Sequence, residues 1–382
     1  MSIHDIIAAW PEARLRALYA GAGPAQVEAA LAREQRGLAD LAALLSPAAR
    51  PYLEPMAVAA QRETRRQFGR TIGLYAPLYI SNLCAADCVY CCFSVRNETG
   101  DRRVSLKPEE IHRECAALAA QGFESVLLLT GEAPRAVPVA RIAEAVHIAR
   151  EYFASVSVEV YALDEAGYRT LMAAGLEGVT LYMETYHRPT YAQVHLEGDK
   201  ARYDFRLGAM DRAGAAGARK LNIGVLLGLH DWRVDVLWLA LHARHLQRAC
   251  WRSALAISFP RLLHTPDRFR PGDRVSNADL VQILTAMRLF IPEAAFNLST
   301  REAPAFRDRL LPLGVTHMSA GSSTKPGGYA THTGAGDGAR GVLEQFEIED
   351  YRPVDEVVAV IRRAGYDPVW KDFDPAFDGL AG

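Results

Sequence analysis

No stretch of this chain approaches the roughly 18 consecutive apolar residues that a membrane span needs. The opening MSIHDIIAAWPEARLRALYA carries early acids and no basic flank before an apolar run, which is not the pattern of a secretory leader. Lysine is scarce: only Lys107, Lys200, Lys220, Lys325 and Lys371 occur, against abundant arginine. With a formal net charge of −2, that bias is compositional and argues against nucleic acid or an anionic membrane surface as partner. Cysteine is also sparse, six in 382 residues, so a disulfide-stapled secreted scaffold is excluded. The expected location is the reducing cytoplasm. There, clustered cysteines are metal ligands or redox thiols rather than structural bridges. What remains is a soluble composition, half apolar and 23% charged, with enough length to bury a large core.

Residues 1–70 read as helical. Segments such as AQVEAALAREQRGLADLAALL are rich in helix formers with apolar residues at helical spacing. From about residue 75 the pattern changes to short apolar runs alternating with amphipathic segments. Candidate strands are Tyr75–Asn82, Ser125–Thr130, Val156–Tyr161, Gly178–Glu184, Lys220–Gly228, Ala256–Pro260, Ala295–Ser299 and Val315–Ala320. In KPEEIHRECAALAAQG, Pro108 suits a first helical turn and Gly122 a C-terminal stop. Eight βα units predict an α/β fold, a (β/α)8 TIM-type barrel, over 71–320. Residues 321–382 are expected as a C-terminal segment covering the barrel mouth. It holds a Gly-, Ser- and Thr-rich loop, GSSTKPGGYATHTGAGDGARG, with Lys325–Tyr329 as a lid candidate. A last helix around PVDEVVAVIRRAG and the aromatic VWKDFD follow.

Four of the six cysteines fall between Cys84 and Cys92, in CAADCVYCCF. Structural zinc takes four Cys or His ligands, often as two C-x2-C pairs, and no second pair exists. The nearest zinc-like pairing elsewhere, His112 with Cys115, reads more simply as two helix residues. A disulfide between neighbours Cys91 and Cys92 is poorly placed. A thioredoxin-like Cys88-x2-Cys91 leaves Cys84 unexplained. Three soft thiolates on one loop suit an iron–sulfur cluster, and three ligands for four irons leave one iron open to another molecule.

The spacing Cys84-x3-Cys88-Val-Tyr90-Cys91 resembles the C-x3-C-x-aromatic-C signature of the radical S-adenosylmethionine (SAM) superfamily. The stretches PLYISNLCAADCVYCCFS, LLLTGE, YMETYH, IGVLLGLHDWR, ISFPRL, LSTRE, SAGSSTKPGGY and PVWKDFD, in that order from residue 75 to 375, resemble the 2-iminoacetate synthase family. These are the tyrosine lyases of bacterial thiamine (thiazole) biosynthesis. The resemblance implies a 4Fe-4S cluster held by Cys84, Cys88 and Cys91, with SAM on the open iron. The family has Gly where this chain has Cys92, which is expected to be a non-ligand small hydrophobe.

Further roles follow from the resemblance. Thr130-Gly131-Glu132 occupies the place of a Gly-Gly-Glu motif whose backbone meets the SAM amino group; a plain strand-end turn is the alternative. Ser157, Glu159 and Tyr161 share one strand face by period two. Glu159 matches a ribose contact, or else sits in a buried ion pair. Glu184 is a second SAM contact, with Tyr186 or His187 near the substrate. Leu227, in IGVLLGLH, and Phe93, through its backbone, face the adenine. Arg301, Tyr90 and Ser319 (or Ser322, the register being ambiguous) are expected to bind the substrate carboxylate. An Arg301–Glu302 pair is the alternative.

The implied reaction takes a hydrogen from the amino group of L-tyrosine and breaks Cα–Cβ, giving 2-iminoacetate (dehydroglycine) and p-cresol. Thiazole synthase is the implied partner and a flavodoxin-type protein the implied reductant. A tryptophan lyase and an iron–sulfur electron carrier are the competing readings. A hydrogenase maturase with a second cysteine cluster is disfavoured, since no cysteine follows Cys250.

Overall fold

The computed structural model describes residues 1–98, 100–330 and 341–371. Eight parallel strands close into a barrel: β1 (Thr71–Ser81), β2 (Ser125–Thr130), β3 (Ser155–Glu159), β4 (Gly178–Thr180), β5 (Lys220–Gly224), β6 (Ala254–Ser258), β7 (Ala295–Leu298) and β8 (His317–Ser319). Each strand pairs with the next, and β8 pairs back to β1, with Leu74 opposite Met318 and Tyr75 opposite Ser319. The expected (β/α)8 architecture is therefore present. A ninth strand, β9 (Asp367–Val369), adds to the start of β1 at the barrel base.

Several strands are shorter than the apolar runs that signal them. Gly178–Glu184 and Lys220–Gly228 end at Thr180 and Gly224, because the remaining apolar residues build mouth loops rather than ladder. β3 ends at Glu159: Ser157 and Glu159 share its inward face as expected, while Tyr161 lies beyond the strand and leaves that face. Ser157 faces a cavity at the base, Glu159 one at the mouth, and the Tyr161 hydroxyl turns out to the Val137 carbonyl at 2.8 Å.

Residues 1–70 form five α-helices and a 3-10 turn. They pack on the helices Trp232–Ala249 and Asn277–Phe290. Trp238 Nε1 donates to the Trp10 carbonyl at 2.8 Å, and Gln282 Nε2 donates to the Leu44 and Ser46 carbonyls at 2.9 Å each. Leu41, Leu44, Val236 and Ile283 lie in one continuous core with the barrel. After the mouth strands, the chain returns through 341–353 to a helix, Val354–Arg363. A fully buried pair, Arg307 with Asp350, ties that return to the barrel wall. Residues 331–340 of the glycine-rich loop and 372–374 of VWKDFD lie outside the described residues.

Candidate active site

The cysteine loop leaves β1 at its C-terminal end, where barrel enzymes carry their chemistry. It folds as successive turns, Cys91 N donating to Cys88 O and Ser94 N to Cys91 O, each at 3.1 Å. Buried Asn82 anchors its start: Nδ2 donates to Leu343 O at 2.9 Å and Oδ1 accepts from Val104 N. Asp87 anchors the middle, accepting from Ser94 Oγ at 2.7 Å and Arg268 at 2.6 Å. Gly131 has a packing reason: a Cβ there would meet the Leu83 carbonyl at 2.2 Å. Thr130-Gly131-Glu132 is thus the seat of the cysteine loop, and Ala85 N donates to Glu132 O at 2.8 Å.

All six cysteines are free thiols. Cys88 is buried, and Cys84 and Cys91 half-buried, among Ala86, Tyr90, Leu226 and Leu229. Burial pushes all three thiols up, Cys91 to about 12, with mutual repulsion adding and Lys200 opposing. Such thiols become thiolates when a metal centre binds them. Sulfurs on one zinc ion sit ~3.8 Å apart at a Zn–S length of ~2.3 Å. Among the described residues, no three cysteine sulfurs lie mutually within 4.8 Å. The three thiols are therefore not gathered around a single ion. Cys84 and Cys91 also pack against a second cluster, Tyr79, Phe93, Leu129 and Leu343; Cys92 packs against that one alone and not against the Ala86–Tyr90 cluster.

A buried charge network faces the loop. Glu184 has φ 66°, a left-handed conformation that no other described non-glycine residue adopts. Lys200 Nζ donates to Glu184 Oε1 at 2.8 Å, and Arg206 donates to Glu132 Oε1 at 2.8 Å while lying 3.6 Å from Glu184. Glu159 has no cation at ion-pair distance among the described residues. Burial and the neighbouring Glu184 raise its carboxyl to about 7. The alternative reading, a buried ion pair at Glu159, finds no cation partner among the described residues.

A cavity of about 140 Å³ lies at the mouth, lined in part by Tyr90, Cys91, Glu159, Glu184, Lys200 and Arg301. A larger one, about 340 Å³, lies at the base with no cysteine in its wall. The smaller cavity is the one beside the chemistry. Arg301 stacks on Phe346, its carbon 3.4 Å from the ring centroid, and has no carboxylate at ion-pair distance among the described residues. Its expected alternative partner, Glu302, is bound instead by buried Arg261, with Nε at 2.8 Å. Ser319 Oγ already accepts from Thr300 N at 3.2 Å, whereas buried Ser322 Oγ has no partner and also lines the cavity. Gln345, against the Tyr79 hydroxyl at 2.5 Å, and Phe346 form part of the cover.

Other expectations shift. Leu227 is buried in a bridge to Arg261, and its neighbour Leu226 lines the cavity. The Phe93 carbonyl accepts from Arg103 at 2.8 Å. Lys325–Tyr329 contributes no residue to the cavity lining, but Tyr329 is held beside it, donating through its hydroxyl to the O of Pro77, a lining residue, and through its backbone to Glu114. Tyr186 bonds buried His242 at 2.7 Å. His187 caps the helix Arg188–Val194 and, with His230, meets Glu12 at 3.2 and 3.3 Å. The two imidazoles stack at 4.0 Å and 14°, so their lone pairs do not converge on one ion. They clasp the N-terminal helices to the barrel rim.

Lys200, Arg206, His195, Gln345 and Phe346 are the site residues that sequence reasoning missed. Only Lys200 carried a signal, as one of five lysines in an arginine-rich chain.

Residues 78–237 match the model of the Radical SAM superfamily, and residues 258–367 that of the Biotin and Thiamin Synthesis associated domain. The chain is 44% identical over 366 residues to 2-iminoacetate synthase of Escherichia coli (strain K12), spanning 96% of this chain and 94% of that one. The corresponding protein of Salmonella typhimurium is 43% identical over the same shares. Among solved structures, the FeFe-hydrogenase maturase HydG from Carboxydothermus hydrogenoformans superposes with a TM-score of 0.88 at 28% identity, covering 97% of this chain and 85% of that one. By its thiol loop, its barrel and this near-full-length similarity, the chain belongs to the 2-iminoacetate synthase family of the radical SAM superfamily.

Proposed function

We propose that this chain cleaves the Cα–Cβ bond of L-tyrosine, starting at the substrate amino group, to give 2-iminoacetate and p-cresol. The observation that carries the reading is Arg301: a half-buried guanidinium with no carboxylate at ion-pair distance among the described residues, in the same cavity wall as Cys91. Such a group is arranged for an incoming carboxylate, bidentate in the usual arginine fork. Ser322 Oγ, unpartnered in that wall, is the hydroxyl suited to assist it. Ser319 supports from behind, holding the Thr300 backbone.

Cys84, Cys88 and Cys91 would hold the cluster, and bound SAM supplies a 5′-deoxyadenosyl radical as hydrogen acceptor. The protein's own residues bind and orient. Glu159 and Glu184 offer carboxylates to polar groups of SAM, Glu159 being able to donate or accept near neutral pH. Phe259, Leu262 and Phe346 close the cavity against water. Among the described residues no helix is long and apolar enough to cross a membrane. Since free 2-iminoacetate hydrolyses, transfer to thiazole synthase in the cytoplasm and reduction by a flavodoxin-type protein complete the reading.

The test is an anoxic assay of reconstituted protein with dithionite, SAM and either tyrosine or tryptophan. p-Cresol from tyrosine is expected. An indole-derived product without p-cresol overturns the substrate. An electron paramagnetic resonance spectrum unchanged by SAM points to an electron carrier instead.

A further inference from the structure

Arg301 stands just past the end of β7. Its backbone N donates to Ser299 Oγ at 3.4 Å, but among the described residues no hydrogen bond holds its guanidinium. All five N–H donors of that group are unused there. A cation on so long a stem has much rotational freedom to lose. One contact restricts it. The Phe346 ring lies beneath it, with 3.4 Å between the guanidinium carbon and the ring centroid. At that distance an upright guanidinium would drive a nitrogen into the ring, so the group lies flat on the aromatic face. Its edge, which carries the N–H groups, stays free. Both residues line the mouth cavity.

Phe346 is itself anchored on several sides. Its carbonyl accepts from Thr324 Oγ1 at 2.9 Å, and the preceding Gln345 N donates to Thr324 O at 3.0 Å. Gln345 Oε1 accepts from the Tyr79 hydroxyl at 2.5 Å. Leu343 N donates to Arg102 O at 3.1 Å, and Leu343 O accepts from Asn82 Nδ2 at 2.9 Å. Asn82 lies just before Cys84, so one buried side chain anchors both the cysteine loop and the segment that carries the ring. The ring is thus fixed by the end of β1 and the chain after β8, while the cation comes from the end of β7. We propose that Phe346 is a positioning residue for the substrate: it holds the Arg301 guanidinium flat, with the N–H edge presented to the carboxylate before substrate arrives. The proposal deepens the tyrosine-lyase reading above and rests on it. A hydrogen-bonding partner could hold Arg301 as firmly, but it would use donors that a bidentate carboxylate needs. An aromatic face holds the cation and uses none. Ordering the side chain in advance also removes a cost that binding would otherwise meet.

The test measures equilibrium binding of L-tyrosine and of tyramine, which lacks the carboxylate, to unreduced holoenzyme loaded with SAM. Phe346→Leu keeps apolar bulk and removes the aromatic face. It is expected to weaken tyrosine about two- to tenfold, the cost of ordering one flexible side chain, and to leave tyramine unchanged. Phe346→Tyr keeps the face and should retain the preference for tyrosine. In an Arg301→Met background, Phe346→Leu should have no further effect on tyrosine, because a residue acting through Arg301 then has nothing to act on. Equal weakening of tyrosine and tyramine, or additive losses in the double variant, overturns the proposal and leaves Phe346 as cover alone. A second readout needs no Phe346 variant: 15N–1H spectra of arginine Nε in the same unreduced holoenzyme. The Arg301 resonance, identified by its loss in Arg301→Met, should be displaced upfield by the ring; an undisplaced resonance overturns the proposal. Wild type that binds tyrosine yet forms no p-cresol would instead count against the lyase reading, with the binding ratios and the ring shift still deciding the role of Phe346.

Discussion

Asp235 stands behind the active site, and its charge should make the fold lose stability as pH rises. The residue is 2% exposed. One oxygen, Oδ1, accepts from Tyr186 N at 2.8 Å and Thr185 Oγ1 at 3.0 Å, the two positions just after Glu184. Burial raises the carboxyl to about 7, although both hydrogen bonds pull it down. An unfolded aspartate titrates near ~3.9, so the folded chain holds the proton more tightly across that interval. The stability due to the protonated form is complete below about pH 4 and is lost as pH climbs through about 7. A gap of about three pH units corresponds to about 4 kcal/mol, of which the interval from pH 5 to 8 covers about 3 kcal/mol. With an unfolding entropy of about 2 cal/mol/K per residue over 382 residues, that is about 4 °C in melting temperature. Asp235→Asn keeps Oδ1 and cannot ionise. Its second position needs the same partner as the protonated acid, so the useful quantity is the slope with pH, not the absolute difference. Thermal scans of both proteins at pH 5, 6, 7 and 8, at one scan rate, should show the variant gaining about 4 °C on wild type toward pH 8. Parallel curves, or wild type gaining on the variant, would refute the reasoning.

Cys91→Ala should lose bound iron on anoxic reconstitution, while Cys92→Ala keeps it, because Cys91, unlike Cys92, packs with Cys84 and Cys88 in the Ala86–Tyr90 cluster; iron and sulfide analysis decides, and the reverse result would move the third ligand. Ser322→Ala should raise KM for tyrosine about two- to tenfold with little change in melting temperature, the loss of one hydrogen bond. Ser319→Ala should show in the melting temperature instead, because it frees Thr300 N; equal KM effects from both would contradict the assignment. Lys200→Met leaves Glu184 buried and unpaired but for Arg206, so destabilisation of about 3 kcal/mol and weaker SAM binding are expected; calorimetry and equilibrium dialysis check this, and unchanged values would show the pair to be solvent-screened.

Alternation of apolar runs with helical segments was enough to predict eight βα units, and the spacing of Cys84, Cys88 and Cys91 was enough to point to a cluster. Both are local signals: period and spacing survive in one dimension. Which residues line the mouth was less legible. Gly178–Glu184 and Lys220–Gly228 read as single strands, yet their last residues bend out as loops. That bend turned Glu184 to a left-handed φ and put Leu226, not Leu227, in the cavity wall. No periodicity announces where a ladder stops, because pairing with a neighbour decides it.

The sequence by itself determined the barrel, the three-thiol loop and the family, since each rests on residue type and order along the chain. Only the tertiary structure decided the partners. Glu302 went to Arg261 and left Arg301 open; Ser319 was occupied and Ser322 was not; Lys200 came to Glu184 and His195 to Tyr90. A buried polar group is defined by what satisfies it, and those partners lie up to 105 residues away in the chain.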